Sequence, residues 1–313
     1  MSSAKHTTQS AIVVGARTQR QGTGPFIAAG LAAAGVQISG IVGTSEASVQ
    51  SARKALQRDW HLAPACFTSL DRALADLKPA AVAICSPWQF HAEQLRATAS
   101  AGRHCLVEKP LAWPATAAQV DSLVRGFEQR GLLLQMVDQW PTTLLAFAEL
   151  HGGLPQTVDS FALRLSPISI GSDMITDSAP HFVGMLQALL GPGDCAQVRI
   201  NSEAASGGEQ ALRLACEYHH ASGSCEASLL LQTQRARPRP AWYQVNELRA
   251  DREVELPQYQ QYLTAGTQRV ALPDPLHQVT AQFAQAMASE TATDGEKLRA
   301  AHRNLIQLAA AWD

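Results

Sequence analysis

The sequence predicts an α/β protein in two parts: an N-terminal doubly wound parallel sheet over residues 1–137 and a C-terminal α+β domain over residues 138–313. Three observations carry this. In the first half, short apolar runs alternate with amphipathic stretches of helical length, the pattern of parallel strands covered on both faces. After about residue 138, runs of alternating apolar and polar residues take over with few helical interruptions, which is how half-covered strands read. The chain of 313 residues, 46 % hydrophobic and 17 % charged, is also large enough to bury two cores.

In the first part, Ala11–Val14 reads as a strand and Pro25–Ala34 as a helix, with the proline suited to its opening turn. Val36–Val42 and Glu46–Arg58 repeat the pair. Strands at Ala80–Cys85, His104–Val107 and Leu132–Val137 are separated by helices at Phe90–Ser100 and Ala117–Gln129. In the second part, Thr142–Leu150 is helical, Thr157–Leu165 alternates as a strand, and a helix from about Ala179 to Leu190 stops at Gly191-Pro192-Gly193. Strand-like segments follow at Gln197–Ile200, Ala211–His219, Cys225–Gln234 and Trp242–Leu248. Two helices close the chain, around Gln278–Ser289 and Lys297–Trp312.

Composition excludes several classes. A net charge of −2 argues against nucleic-acid binding driven by counterion release. The weakly polar stretch Phe26–Gly43 is broken by Gln37 and Ser39, so no membrane span is expected. The opening MSSAKHTTQS has no apolar secretion segment, and the cytoplasm is the expected location. The six cysteines form no CxxC pair and read as small hydrophobes in a reducing compartment. No HExxH is present, and His219-His220 are strand neighbours that point to opposite faces, so no metal site is expected. No GxSxG or P-loop pattern appears.

Between the first strand and first helix lies Val14-Gly15-Ala16-Arg17-Thr18-Gln19-Arg20-Gln21-Gly22-Thr23-Gly24-Pro25. Free N–H groups at a helix N-terminus attract pyrophosphate, and glycines let backbone approach it. The strict G-x-G-x-x-G is absent, because Arg17 and Arg20 stand at its second and third glycine positions, while Gly15, Gly22 and Gly24 remain. A plain strand-to-helix turn explains the loop as well; the arginines favour phosphate, which guanidinium groups meet bidentately. At the end of the second strand, Gly43-Thr44-Ser45 supplies no acid for a ribose 2′-hydroxyl. Thr44 and Ser45 either accept a 2′-phosphate or cap the helix that follows. The cofactor expectation is therefore NADP(H) in preference, with NAD(H) possible.

Two segments are more specific. Ala83-Ile84-Cys85-Ser86-Pro87-Trp88-Gln89-Phe90-His91-Ala92-Glu93 is followed by Ala101-Gly102-Arg103-His104-Cys105-Leu106-Val107-Glu108-Lys109-Pro110-Leu111-Ala112. Together they closely resemble the Gfo/Idh/MocA oxidoreductases, in which a Pro…His segment and a Glu-Lys-Pro segment end the fourth and fifth strands. The resemblance implies a Rossmann domain followed by an α+β domain on a large, mostly antiparallel sheet. It also implies that Ser86, Pro87, His91, Glu108 and Lys109 border the cofactor. Independently of it, a lysine at the carboxyl end of a parallel strand lies at the ligand crevice of a doubly wound sheet, and its ammonium can stabilise charge on a substrate oxygen. Glu108 either orients Lys109 or is its solvated partner. His91 either touches ligand or satisfies local backbone groups.

The family's second signature, an acid four residues before a histidine on a helix, is matched by Asp177-Ser178-Ala179-Pro180-His181. Residues four apart share a helix face, and an imidazole suits proton exchange at neutral pH. The alternative makes Asp177 an N-cap and packs His181 on the sheet. Many relatives carry an Asp three residues beyond this histidine, where this chain has Gly184, and an arginine in the segment that here reads Asp138-Gln139-Trp140-Pro141.

The resemblance implies hydride transfer between nicotinamide and a carbonyl/alcohol carbon of a sugar, cyclic polyol or related small molecule, with Lys109, Asp177 and His181 as the catalytic set. Glycoside hydrolysis with bound NAD, or a non-enzymatic dinucleotide-binding sensor, are the alternatives. The expected partner is a small molecule, with neither nucleic acid nor membrane, in a homodimer or homotetramer.

Overall fold

A computed structural model describes residues 9–17, 22–204 and 210–312. They fall into two compact units: one reaches to Val137 and adds Leu276–Gly295, the other holds Asp138–Pro275 and the chain from Glu296 onward.

In the first unit, β1 (Ser10–Val14), α1 (Gly24–Ala33), β2 (Gln37–Val42), α2 (Glu46–Trp60), β3 (Ala65–Phe67), α3 (Leu70–Leu77), β4 (Ala81–Ile84), α4 (His91–Ser100), β5 (His104–Val107), α5 (Ala117–Glu128) and β6 (Leu134–Met136) alternate in sequence. The six strands pair in parallel in the order β3-β2-β1-β4-β5-β6. Chain direction across the sheet reverses between β1 and β4, so the carboxyl ends around that point form the ligand crevice of such a sheet. The central strands are covered on both faces: Ile12, Val13, Ala81, Val82 and Ile84 are fully buried. This double burial explains their unbroken apolar runs.

β3 and α3 have no counterpart in the sequence reading. A strand of three residues and a helix of eight are too short for a clear period. Ser69 starts α3 by accepting the Arg72 N–H on its side chain.

The second unit contains α6 (Leu144–His151), β7 (Ser160–Leu165), α7 (Asp173–Leu190), β8 (Gly193–Ala204), β9 (Gln210–His220), β10 (Gly223–Gln232), β11 (Ala241–Val245), β12 (Leu248–Glu255), β13 (Gln260–Ala265) and β14 (Gln268–Leu272). These strands form an eight-stranded sheet in the order β14-β13-β12-β11-β7-β10-β9-β8. It is antiparallel except where β7 meets β10, as the resemblance implies. Burial alternates along β7, β9, β10 and β11, so one face is packed. α7 lies against β7 and β10, with Phe182 stacked 5.8 Å from Phe161. The β13–β14 hairpin was not expected, because Gln260, Gln261, Gln268 and Arg269 blur its alternation.

α7 begins at Asp173, well before the predicted Ala179. Pro180, which reads as a helix start, sits in its interior. There it removes the N–H that would bond the Thr176 carbonyl. The fully buried Met174, Ile175, Ala179, Phe182 and Val183 hold the helix across that gap.

Of the closing helices, α8 (Pro275–Ala288) packs within the first unit and α9 (Gly295–Ala310) within the second. Val279, Phe283 and Met287 of α8 share a core with Ile27 and Leu31 of α1. Beyond α8, the Thr293 hydroxyl accepts the Leu134 N–H and donates to the Leu132 carbonyl, both at 2.7 Å, tying down the edge strand β6. In α9, Asn304 accepts the Cys195 N–H at 2.6 Å and donates to the Gly193 carbonyl at 2.8 Å. No helix among the described residues is long and apolar enough to cross a membrane.

Candidate active site

Gly15 leaves β1 at φ +86°, where a side chain is strained. A Cβ there would lie 2.6 Å from the Cys85 carbonyl oxygen and 2.8 Å from the Ser86 nitrogen. Gly24 opens α1 in the same way: its Cβ would meet the Gly15 carbonyl oxygen at 2.5 Å. The two glycines thus bring the ends of β1 and β4 and the start of α1 to backbone contact, the approach that a pyrophosphate cradle needs. Thr23, the residue before α1, makes no side-chain cap on the helix. Gly22 is half-buried just ahead of it, and Arg20 lies outside the described residues.

At the end of β2 the candidate residues divide their work. The Arg17 guanidinium donates to the Thr44 hydroxyl at 2.6 Å, both side chains being exposed. Ser45 caps α2, its hydroxyl accepting the Ser48 N–H while the Ser48 hydroxyl accepts that of Ser45. The nearest acid, Glu46, accepts the Gln50 amide at 2.9 Å along the helix. Gly43 is enclosed: a Cβ would sit 2.7 Å from Val49 Cγ1 and 2.9 Å from Ser48 Oγ.

Across the crevice, Ser86 donates to Gln94 at 2.7 Å, and Pro87 is exposed ahead of a short 3-10 turn at Trp88–Phe90. His91 is fully buried at the start of α4. Its Nδ1 lies 2.9 Å from the Pro110 carbonyl oxygen and its Nε2 2.8 Å from that of Ser86. Both ring nitrogens are therefore engaged by backbone, and the histidine ties the loop after β4 to the loop after β5. Of the two roles the sequence left open, this geometry is the local one.

Glu108 follows β5 and is 9 % exposed; its Oε2 accepts the Lys109 N–H at 3.2 Å. Its Oε1 is buried without a hydrogen-bond partner among the described residues. Burial, with the Glu108 charge second, pushes the Cys85 thiol well above its ordinary pKa, so that thiol stays neutral. Lys109 is half-buried and joined to Pro110 by a cis peptide bond.

In the second unit, Asp177 and His181 lie one turn apart on α7, and Asp177 is inside the helix rather than at its N-cap. The Ser169 hydroxyl donates to Asp177 Oδ2 at 3.4 Å. The carboxylate recorded beside His181 is Asp138: Oδ1 lies 3.9 Å from His181 Nδ1, and the side chains are 14 % and 13 % exposed. Gly184 makes room for it, since a Cβ on that glycine would fall on the Asp138 carboxylate. No cluster of three or more His, Cys, Asp or Glu residues is gathered for a metal among the described residues.

Residues 10–137 match the model of an oxidoreductase family with an NAD-binding Rossmann fold, Gfo/Idh/MocA. Over that segment the chain is similar to the Gfo/Idh/MocA oxidoreductases. No curated protein sequence matches it. Solved structures share its fold. UDP-N-acetylglucosamine 3-dehydrogenase GnnA from Acidithiobacillus ferrooxidans is 20 % identical over 97 % of each chain, with a TM-score of 0.71. A probable dehydrogenase from Thermotoga maritima is 16 % identical over 97 % of this chain and 96 % of its own, with a TM-score of 0.73. Biliverdin reductase from Synechocystis sp. PCC 6803, solved with biliverdin and NADP+, is 16 % identical over 97 % and 98 %, at 0.62.

The Pro…His and Glu-Lys-Pro segments follow β4 and β5, where the motif they resemble expects them. Sequence reasoning missed Asp138 as a site residue. Its signal was a gap: a glycine within a predicted helix, three residues beyond the histidine, with an acid just after a strand elsewhere.

Proposed function

We propose that the chain is an NADP(H)-dependent oxidoreductase that transfers hydride between the nicotinamide and a carbonyl/alcohol carbon of a sugar, cyclic polyol or related small molecule. The observation that carries the reading is Lys109 at the carboxyl end of β5, beside the buried Glu108, in a sheet whose glycine loop is closed to backbone contact. The cofactor, when bound, supplies or accepts the hydride. Gly15 and Gly24 fit its pyrophosphate, since only bare backbone allows so close an approach, and Gly22 belongs to the same loop. Arg17 and Thr44 fit a 2′-phosphate, because a guanidinium and a hydroxyl already meet there. Arg20 belongs to the same loop, Ser45 adjoins Thr44, and Ser86 and Pro87 border the opposite wall.

Lys109 hydrogen-bonds the substrate oxygen and stabilises its developing negative charge. His181 exchanges that oxygen's proton, and Asp177 orients the ring and the substrate. His91 and Glu108 act by holding the Lys109 loop. Six free cysteines among the described residues fit a cytoplasmic protein. The homodimer or homotetramer belongs to the same reading.

The test is thermal unfolding with NADPH, NADP+, NADH and NAD+, then turnover of the most stabilising nucleotide against a panel of sugars and polyols. A nucleotide at about 100 times its dissociation constant adds roughly 2.7 kcal/mol, a clear rise in Tm. Absence of any rise with all four would overturn the proposal.

A further inference from the structure

Asp138 and His181 come from distant parts of the sequence, yet their largely buried side chains face each other. Asp138 lies two residues beyond β6, on the segment leading to the buried Trp140, while His181 projects from α7. Their facing atoms, Oδ1 and Nδ1, are 3.9 Å apart, and neither has a hydrogen-bond partner among the described residues. A buried carboxylate and a buried imidazole nitrogen are both costly without a partner. Each is the group recorded opposite the other.

Gly184 shows that this meeting is built into the backbone. It lies three residues beyond His181, on the same side of α7. A Cβ there would coincide with Asp138 Oδ2, and would lie 2.5 Å from Asp138 Cγ and 2.9 Å from Oδ1. Glycine inside a helix costs about 1 kcal/mol relative to alanine. Here it provides the notch in which the carboxylate rests against bare helix backbone. Asp177, by contrast, takes the Ser169 hydroxyl on its Oδ2.

We propose that Asp138, seated in the notch at Gly184, is the positioning residue for His181: its carboxylate faces the Nδ1–H as acceptor and thereby leaves Nε2 as the unprotonated, proton-exchanging nitrogen of the neutral ring. The hydrogen bond at one ring nitrogen sets which tautomer the other presents. The inference rests on the reading of His181 as the proton-exchanging group. In alcohol oxidation the hydroxyl proton passes to Nε2 as the hydride leaves carbon for the nicotinamide. In reduction both return.

The test is ¹⁵N NMR of the histidine ring nitrogens in the full-length protein, at a pH where the His181 ring is neutral, with His181→Asn identifying the signals. It needs no substrate, so it separates this inference from the proposed activity: the expected tautomer without any turnover would sink the activity and leave the pair standing. In the wild type, the expected result is a protonated Nδ1 and an unprotonated Nε2. Asp138→Ala should lose the unprotonated Nε2 signal, and adding Gly184→Asp should restore it by returning a carboxylate from the helix side. A wild-type ring protonated at Nε2 overturns the inference, whatever the variants do. So does an Asp138→Ala ring unchanged from wild type, or one that responds to Asp177→Asn instead.

Discussion

The candidate residues of the first unit and those of the second are arranged on opposite plans. In the first unit the chemistry is written consecutively: Glu108, Lys109 and Pro110 leave β5 in one turn, and His91 fastens that turn to the loop after β4. In the second unit the pair is assembled from residues far apart in sequence, an imidazole from α7 meeting the carboxylate of Asp138 in a notch left by Gly184. A turn and its side chains are contiguous in sequence, so they read as a local motif. A carboxylate beside an imidazole is only a position in space, and any backbone that reaches the position can supply it.

The largest expected effect tests the first plan. Lys109→Met should reduce kcat by about 10² to 10³, the cost of removing a donor to a developing oxyanion. NADPH affinity measured by calorimetry should stay within about twofold, because the contact belongs to the transition state. Undiminished kcat would remove Lys109 from the chemistry.

The glycines sharpen the contrast. Gly15→Ala drives a Cβ into the backbone of Cys85 and Ser86 at a positive φ. Strain of this kind costs about 1–3 kcal/mol, which denaturant unfolding would register along with weaker NADPH binding. Gly184→Ala meets a side chain instead, and it gains about 1 kcal/mol of helix propensity. Its unfolding midpoint should therefore move less than that of Gly15→Ala. The reverse order would show that Asp138 is held more rigidly than the backbone of the loop.

The smallest effect concerns pH. Burial holds His104 below the ordinary imidazole value of 6.5, and its Nδ1 accepts the Leu133 N–H at 2.9 Å, which only an unprotonated nitrogen can do. As pH falls, the unfolded chain protonates this ring first. The stability it contributes is therefore complete above about pH 6.5 and lost as pH drops through the depressed folded value. His104→Asn should flatten the fall of unfolding free energy between about pH 7 and 5; an unchanged slope would contradict this.

Much of the fold was legible because its central strands are apolar without interruption and the segments between them have helical period. Boundaries failed where tertiary packing overrides local preference, as at Pro180 inside α7, and elements failed where they are short, as at β3. Of the site, Gly15, Gly24, Thr44, Glu108 and Lys109 could be named from local pattern. The Arg17–Thr44 contact could not, because it joins two loops through space. Asp138 was hidden for the same reason, and only the missing side chain at Gly184 hinted at it.

The central claim is that the β1–α1 loop and the end of β2 receive a phosphorylated ribose. Isothermal titration of NADPH and NADH against the wild type and Arg17→Ala tests it most directly. The account predicts that the wild type binds NADPH at least about tenfold more tightly, roughly 1.4 kcal/mol, and that Arg17→Ala loses most of this margin by weakening NADPH alone. NADH bound as tightly as NADPH by the wild type would contradict it.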